Sequence, residues 1–172
     1  MSGVLLRLQR GLEGMYRVAT GVSVGDFVID DDARAALGVA RAPREQLLVH
    51  EDADGVDIGL FVDAAVLARL ATHDPSARLD DQNVSAFLYA LEGVSHFVYA
   101  VVCAHAARAV SPLELELQAE VDKYVVCLLA DGSGATASGS SSAEMTLEGL
   151  PQFEAIRDFL YARMRGVREA AP

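Results

Sequence analysis

The sequence predicts an α+β fold, in which a small antiparallel sheet with a β-hairpin packs against a helical layer built on a long antiparallel helical hairpin. Three observations predict it. Residues 80–110 are almost wholly apolar, residues 46–63 alternate between apolar and polar around a turn, and residues 111–114 have the pattern of a helix start. At 172 residues the chain is long enough for its own core. We therefore predict a single domain over 1–172.

Short elements are predicted before the hairpin. Residues 5–18 form an amphipathic helix, and its apolar positions are Leu5, Leu8, Leu12 and Met15. Residues 22–29 alternate and predict a strand. Three consecutive aspartates from position 30 predict the start of a short helix that ends near Leu37, and residues 40–45 predict a loop.

The hairpin is the clearest local signal in the chain. Residues 46–51 and 56–63 are strand-like runs on either side of an Asp-Ala-Asp-Gly sequence. Gly55 can supply the positive φ that a short hairpin loop needs. Asp63 follows as a cap for a helix over 64–71, because its carboxylate can accept from the first backbone N–H groups.

The long apolar stretch predicts a helix buried in the core. Between Ala86 and Ala104 its clearly polar residues are Glu92, Ser95 and His96. A helix that is apolar nearly all round lies in a protein core or in a membrane. A charge in the middle of a span is costly, and neither a Lys/Arg cluster nor a Trp belt flanks the stretch. We therefore predict a core helix and no membrane association.

The second half of the helical hairpin begins at Ser111-Pro112-Leu113-Glu114, which is a capping box with proline at the first helical position. A link of one residue at Ser111 predicts a sharp turn. The apolar stripe of this helix is Leu113, Leu117, Val121, Tyr124 and Leu128. Residues 131–143 predict a flexible Gly/Ser-rich loop, and residues 151–167 predict a C-terminal amphipathic helix.

The composition indicates where the protein is located in the cell and which classes of partner it binds. The formal net charge is −11, which disfavours nucleic acid because phosphate binding depends on clustered Lys and Arg. The two cysteines lie in apolar patterns and suggest no disulfide framework. The first ten residues do not resemble a signal peptide. We therefore expect a cytoplasmic protein.

Glu92 and His96 are the best chemical candidates. They lie one turn apart, about 40° around the helix, so they can share a proton or offer two metal ligands. Glu116 and Glu120 are a second pair, also one turn apart, and we count them as further candidate ligands. A turn at Ser111 would place this second pair about two turns out of register with the first. The simplest interpretation is that Glu92 and His96 satisfy each other as a polar pair in the core, or that they mark the one solvated stripe of the helix.

The predicted function is non-enzymatic. The small size, the acidity and the apolar helix surface favour an accessory or adaptor protein that binds a protein partner, self-associates as a homodimer and needs no cofactor. The alternative is a metal-binding protein or a small hydrolase-type enzyme that uses Glu92 and His96. A pocket with convergent polar groups at this pair would favour the alternative, whereas an exposed apolar patch would favour the binding module.

Overall fold

The computed structural model describes residues 3–38, 43–52 and 55–134. This part of the chain is a mixture of helix and strand, with five α-helices and a three-stranded sheet. In chain order the elements are α1 (Gly3–Tyr16), β1 (Val28–Ile29), α2 (Asp31–Ala36), β2 (Glu45–Glu51), β3 (Val56–Val62), α3 (Ala64–Thr72), α4 (Val84–His105) and α5 (Pro112–Gly134).

The sheet has the strand order β1-β3-β2. Strands β2 and β3 pair antiparallel from Glu45 opposite Val62 to Glu51 opposite Val56, which confirms the predicted hairpin. Strand β1 pairs parallel with β3, so the sheet is mixed and the prediction of an antiparallel sheet is wrong in this respect. Between β1 and β3 the chain passes through α2 and β2. This crossover allows β3 to run beside β1 in the same direction.

The predicted strand over 22–29 is reduced to its last two residues. Val24–Asp26 forms a turn of 3-10 helix instead. The Val24 N–H donates to Gln9 Oε1 at 2.8 Å, and Gln9 Nε2 donates to the Val22 carbonyl at 2.7 Å. A buried glutamine of α1 therefore satisfies backbone groups that a neighbouring strand would otherwise have bonded.

Side-chain caps begin three helices where the sequence predicts them. The Asp30 carboxylate accepts from the Ala33 N–H at the start of α2, and the Asp63 carboxylate accepts from the Ala65 N–H at the start of α3. At the start of α5 the Ser111 N–H donates to Glu114 Oε2 at 2.8 Å, and the Glu114 N–H donates to Ser111 Oγ at 3.3 Å. Both arms of the capping box are present.

Helix α4 lies in the core of the described residues. Leu5 of α1, Leu60 of β3 and Leu70 of α3 belong to the same buried cluster as Leu91 and Phe97 of α4. Among the described helices, α4 alone is long and apolar enough to cross a membrane, but 72% of its most apolar window is buried inside the protein. Such burial is what a core helix requires.

The link between α4 and α5 is longer than predicted. Helix α4 ends at His105, and Ala107 has a positive φ of 50°. The Arg108 N–H reaches back to the Cys103 carbonyl at 2.9 Å and closes the helix end. The connection therefore spans residues 106–111, and the prediction that Ser111 is the whole link is wrong.

Helix α5 also continues further than predicted. It extends through Asp131 to Gly134, so the first part of the segment predicted as a Gly/Ser-rich loop is helical. The rest of that loop and the predicted C-terminal helix over 151–167 lie outside the described residues. The single domain over 1–172 stays a prediction for the same reason.

Candidate metal centre

His96 lies in the middle of α4 with its side chain only 6% exposed. Its Nδ1 is 3.7 Å from Glu45 Oε2, and its Nε2 is 3.9 Å from Glu116 Oε1. Both separations exceed a hydrogen bond. Within the described part of the chain, His96 Nε2 and Glu45 Oε2 are buried atoms without a hydrogen-bond partner. Unsatisfied buried polar atoms are rare in folded proteins, so this imidazole nitrogen calls for an explanation.

Glu45 reaches the imidazole from the first residue of β2. It lies on the same strand face as Leu47, which packs against the core, because side chains two apart on a strand share a face. Gly93 makes room for it on α4. A Cβ at this position would lie 3.0 Å from Glu45 Oε2 and 3.0 Å from Leu60 Cδ1. The glycine therefore lets the carboxylate and the sheet approach the helix.

Three candidate ligands converge beyond the other ring nitrogen. One ligand atom each from Glu92, His96 and Glu116 lies within 4.8 Å of the other two. Ligand atoms of a tetrahedral zinc site are about 3.3 Å apart, which follows from metal–ligand bonds of about 2.0–2.1 Å. The Glu116 side chain is 62% exposed, so it is free to close this gap. Metal binding would therefore require the carboxylate of Glu116 to move toward Glu92 and His96.

Lys123 borders the site from α5. Its Nζ is 3.0 Å from Glu92 Oε2 and 2.6 Å from Glu120 Oε1. Burial by itself lowers the pKa of Lys123, but the carboxylates of Glu120 and Glu92 outweigh burial and raise this pKa above its ordinary value. The ammonium therefore stays charged. It holds both Glu92 and Glu120 in ion pairs, whereas Glu116 faces His96.

The imidazole is surrounded by negative charge. Burial by itself lowers the pKa of His96, but the nearby carboxylates of Glu45, Glu116 and Glu92 outweigh burial and raise this pKa above its ordinary value. A site that attracts a proton in this way attracts other cations as well. Protons and metal ions therefore compete for the same nitrogen.

The candidates predicted from sequence are brought together in a different way. Glu92 and His96 share one side of α4, but each has its closest ion-pair partner elsewhere: Lys123 for Glu92, and Glu45 for His96. The interpretation that the two satisfy each other is therefore wrong. Glu116 lies beside His96 and not two turns away, since the link between the helices begins before Ser111.

Sequence reasoning missed Glu45, Gly93 and Lys123. The sequence does indicate that Glu45 faces the core, because it precedes Leu47 by two residues and so continues the apolar face of the hairpin. Gly93 carried a signal as well, since a glycine inside an apolar helical run indicates close packing. Lys123 had no comparable signal, because its position depends on how the two helices are paired.

Among the described residues, the cluster offers one nitrogen and two carboxylate oxygens as candidate metal ligands. Comparisons with protein-family models, with curated proteins and with solved structures gave no match for this chain.

Proposed function

We propose that the protein binds a divalent transition-metal ion, with Zn²⁺ as the best fit, through Glu92, His96 and Glu116. The observation that carries the proposal is the buried His96 Nε2, which has no hydrogen-bond partner among the described residues and lies 3.9 Å from Glu116 Oε1 in the cluster of Glu92, His96 and Glu116. A metal ion would satisfy this nitrogen and neutralise Glu116, whereas Glu92 already pairs with Lys123 through Oε2.

The partner of the other ring nitrogen supports this choice. Histidines that bind metal commonly donate their second N–H to a carboxylate, which fixes the tautomer and orients the ring. Glu45 is placed for that role, with Oε2 3.7 Å from His96 Nδ1. An N–H on Nδ1 leaves the lone pair of Nε2 for the metal. A His and carboxylate ligand set favours zinc over Ca²⁺ and Mg²⁺, which prefer all-oxygen sites.

Metal binding is also compatible with the hydrolase-type alternative. Three protein ligands with water in the fourth position are typical of catalytic zinc sites, because the metal lowers the pKa of the bound water. Structural zinc sites usually have four protein ligands. A set of three ligands among the described residues therefore favours a reactive site over a structural one.

Titration of the metal-free protein with ZnCl₂ by calorimetry tests the proposal. We expect the wild type to bind about one equivalent, His96→Ala to lose about 100-fold in affinity and Glu116→Gln to lose about 10-fold or more, since ligand losses exceed or match those of supporting residues. Glu120→Gln and His105→Ala are matched controls, because Glu120 lies one turn from Glu116 and His105 is an exposed histidine at the end of α4.

The zinc affinity of the two control variants should stay within about 3-fold of the wild-type affinity, which is a much smaller change than the loss of a ligand causes. The proposal fails if the wild type shows no saturable binding. It also fails if Glu120→Gln costs as much as Glu116→Gln.

A role as a cytoplasmic accessory protein that binds a second copy of itself is our second proposal. It is supported by Leu113 and Tyr124 of α5, which are 59% and 47% exposed. They are eleven residues apart and so lie about 20° apart around the helix. Sedimentation of the wild type and of a Leu113→Gln variant tests the proposal. A wild type that sediments only at 18.3 kDa would contradict self-association.

A further inference from the structure

A second polar cluster lies at the end of an apolar cleft of about 260 Å³ between α1, α4 and α5. Val18, Val98 and Val102 supply apolar side chains to its lining. Asp122 of α5 lies at its polar end and is only 1% exposed. The cleft shares no residue with the three candidate metal ligands, so its function is a separate question.

Three neutral groups donate hydrogen bonds to the Asp122 carboxylate. The Tyr16 hydroxyl and Gln118 Nε2 donate to Oδ1, the latter at 3.0 Å. Ser95 Oγ donates to Oδ2 at 2.5 Å. A carboxylate offers about four acceptor positions, so the hydrogen bonds from the described residues leave one position on Oδ2.

No cationic side chain in the described ranges makes an ion pair with Asp122. Arg108 lies over the ring of Tyr99, which also lines the cleft, but its guanidinium pairs with Glu114 at 2.8 Å. Lys123 follows Asp122 in the chain and pairs with Glu92 and Glu120. A buried carboxylate without a cation is costly, and hydrogen bonds from neutral donors offset only part of that cost.

The hydrogen bond from Tyr16 depends on the hydroxyl keeping its proton. Burial and the Asp122 carboxylate raise the pKa of Tyr16 far above its ordinary value. The hydroxyl therefore remains a donor at neutral pH.

We propose that the cleft binds a small hydrophobic amine, whose ammonium group pairs with Asp122 and whose apolar body packs against Val18, Val98 and Val102. The remaining acceptor position of the carboxylate suits an N–H donor. The negative charge repels anionic ligands, and a neutral ligand of the same shape would leave the charge without a cation.

Phenethylamine and 2-phenylethanol are matched probes, because they share a carbon skeleton and differ in the charged group. In ligand-observed NMR titrations with EDTA present, we expect the wild type to bind the amine at least about 10-fold more tightly than the alcohol, a typical gain for a charge-assisted hydrogen bond. Asp122→Asn should remove this preference. Glu120→Gln, which removes an exposed carboxylate two residues away on α5, should keep it.

Val102→Phe provides a second test that leaves the polar cluster intact. The larger side chain should fill the cleft and weaken the binding of both probes. Equal affinity of the wild type for the two probes would overturn the proposal, as would a preference that survives in Asp122→Asn. Failure of the amine to saturate the wild type would overturn it as well.

Discussion

His96 and Glu45 are a buried pair of titratable residues, and their contact can be tested by mutation. His96→Ala would leave Glu45 as a buried carboxylate, because its closest cationic partner is lost. We expect the free energy of unfolding of the metal-free protein to fall by about 3 kcal/mol, the scale seen when one member of a buried pair is removed. His50→Ala, at a site whose side chain is 73% exposed, should change it by less than about 0.5 kcal/mol. Urea unfolding measures both.

The double variant distinguishes a coupled pair from two independent residues. Contacting residues give non-additive effects, so His96→Ala together with Glu45→Gln should cost less than the sum of the single changes. Additive costs would contradict the pairing of His96 with Glu45.

The raised pKa of His96 predicts how stability changes with pH in the metal-free protein. The folded state binds this proton more tightly than the unfolded state, so the stabilisation is complete below the unfolded pKa of about 6.5. It is lost as the pH rises through the folded pKa. Urea unfolding between pH 5.5 and pH 8.5, about the range in which histidine titrates, should show this loss in the wild type and not in His96→Gln. Stability that rises in the wild type over this window relative to His96→Gln would contradict the assignment.

At the scale of the element, Gly93 gives α4 the close approach to the sheet on which the site depends. Alanine normally favours a helix over glycine by about 1 kcal/mol. For Gly93→Ala we expect the opposite, a fall in the free energy of unfolding of about 1–3 kcal/mol. The added Cβ would lie 3.0 Å from Glu45 Oε2 and 3.0 Å from Leu60 Cδ1. Gly11→Ala in α1 is the matched control. Apart from the backbone of its own helix, no heavy atom of the described residues lies within 4 Å of its added Cβ, so the change should stabilise the protein by about 0.5–1 kcal/mol. Equal effects at the two glycines would contradict the close packing.

The end of α4 predicts a stabilising change. Ala107 has a φ of 50°, a conformation that costs a residue with a Cβ about 1 kcal/mol and that glycine adopts freely. Ala107→Gly should therefore raise the free energy of unfolding by about 1 kcal/mol. Ala106→Gly, at an ordinary φ of −85°, should not raise it. Denaturant unfolding of the two variants checks this, and equal stabilities would contradict the observed helix end.

The elements that sequence predicts well are those with local causes. The hairpin and the caps at Asp63 and Ser111 depend on residues within a few positions of each other, and the structure contains all of them. The end of α4 was missed because Ala107 occupies a position where glycine is the usual signal. The strand predicted over 22–29 failed because a distant side chain, Gln9, satisfies its backbone. Non-local contacts overruled the local pattern in that case.

At the scale of the whole molecule, the site combines residues from three elements that are far apart in sequence. Glu92 and His96 could be predicted as a pair, because helical periodicity relates positions on one helix. Their true partners depend on two packing relations, the placement of β2 on α4 and the pairing of α4 with α5. The first brings Glu45 to the imidazole, and the second brings Glu116 and Lys123. Neither relation follows from spacing along the chain.

The most direct test of the central claim is the position of a bound metal. A crystal of the full chain soaked with zinc and measured at the zinc absorption edge locates the ion by its anomalous scattering. We predict one ion bonded to His96 Nε2 and to a carboxylate oxygen of each of Glu92 and Glu116, at about 2.0–2.2 Å. The absence of an ion at His96, or an ion held there without either carboxylate, would contradict the account.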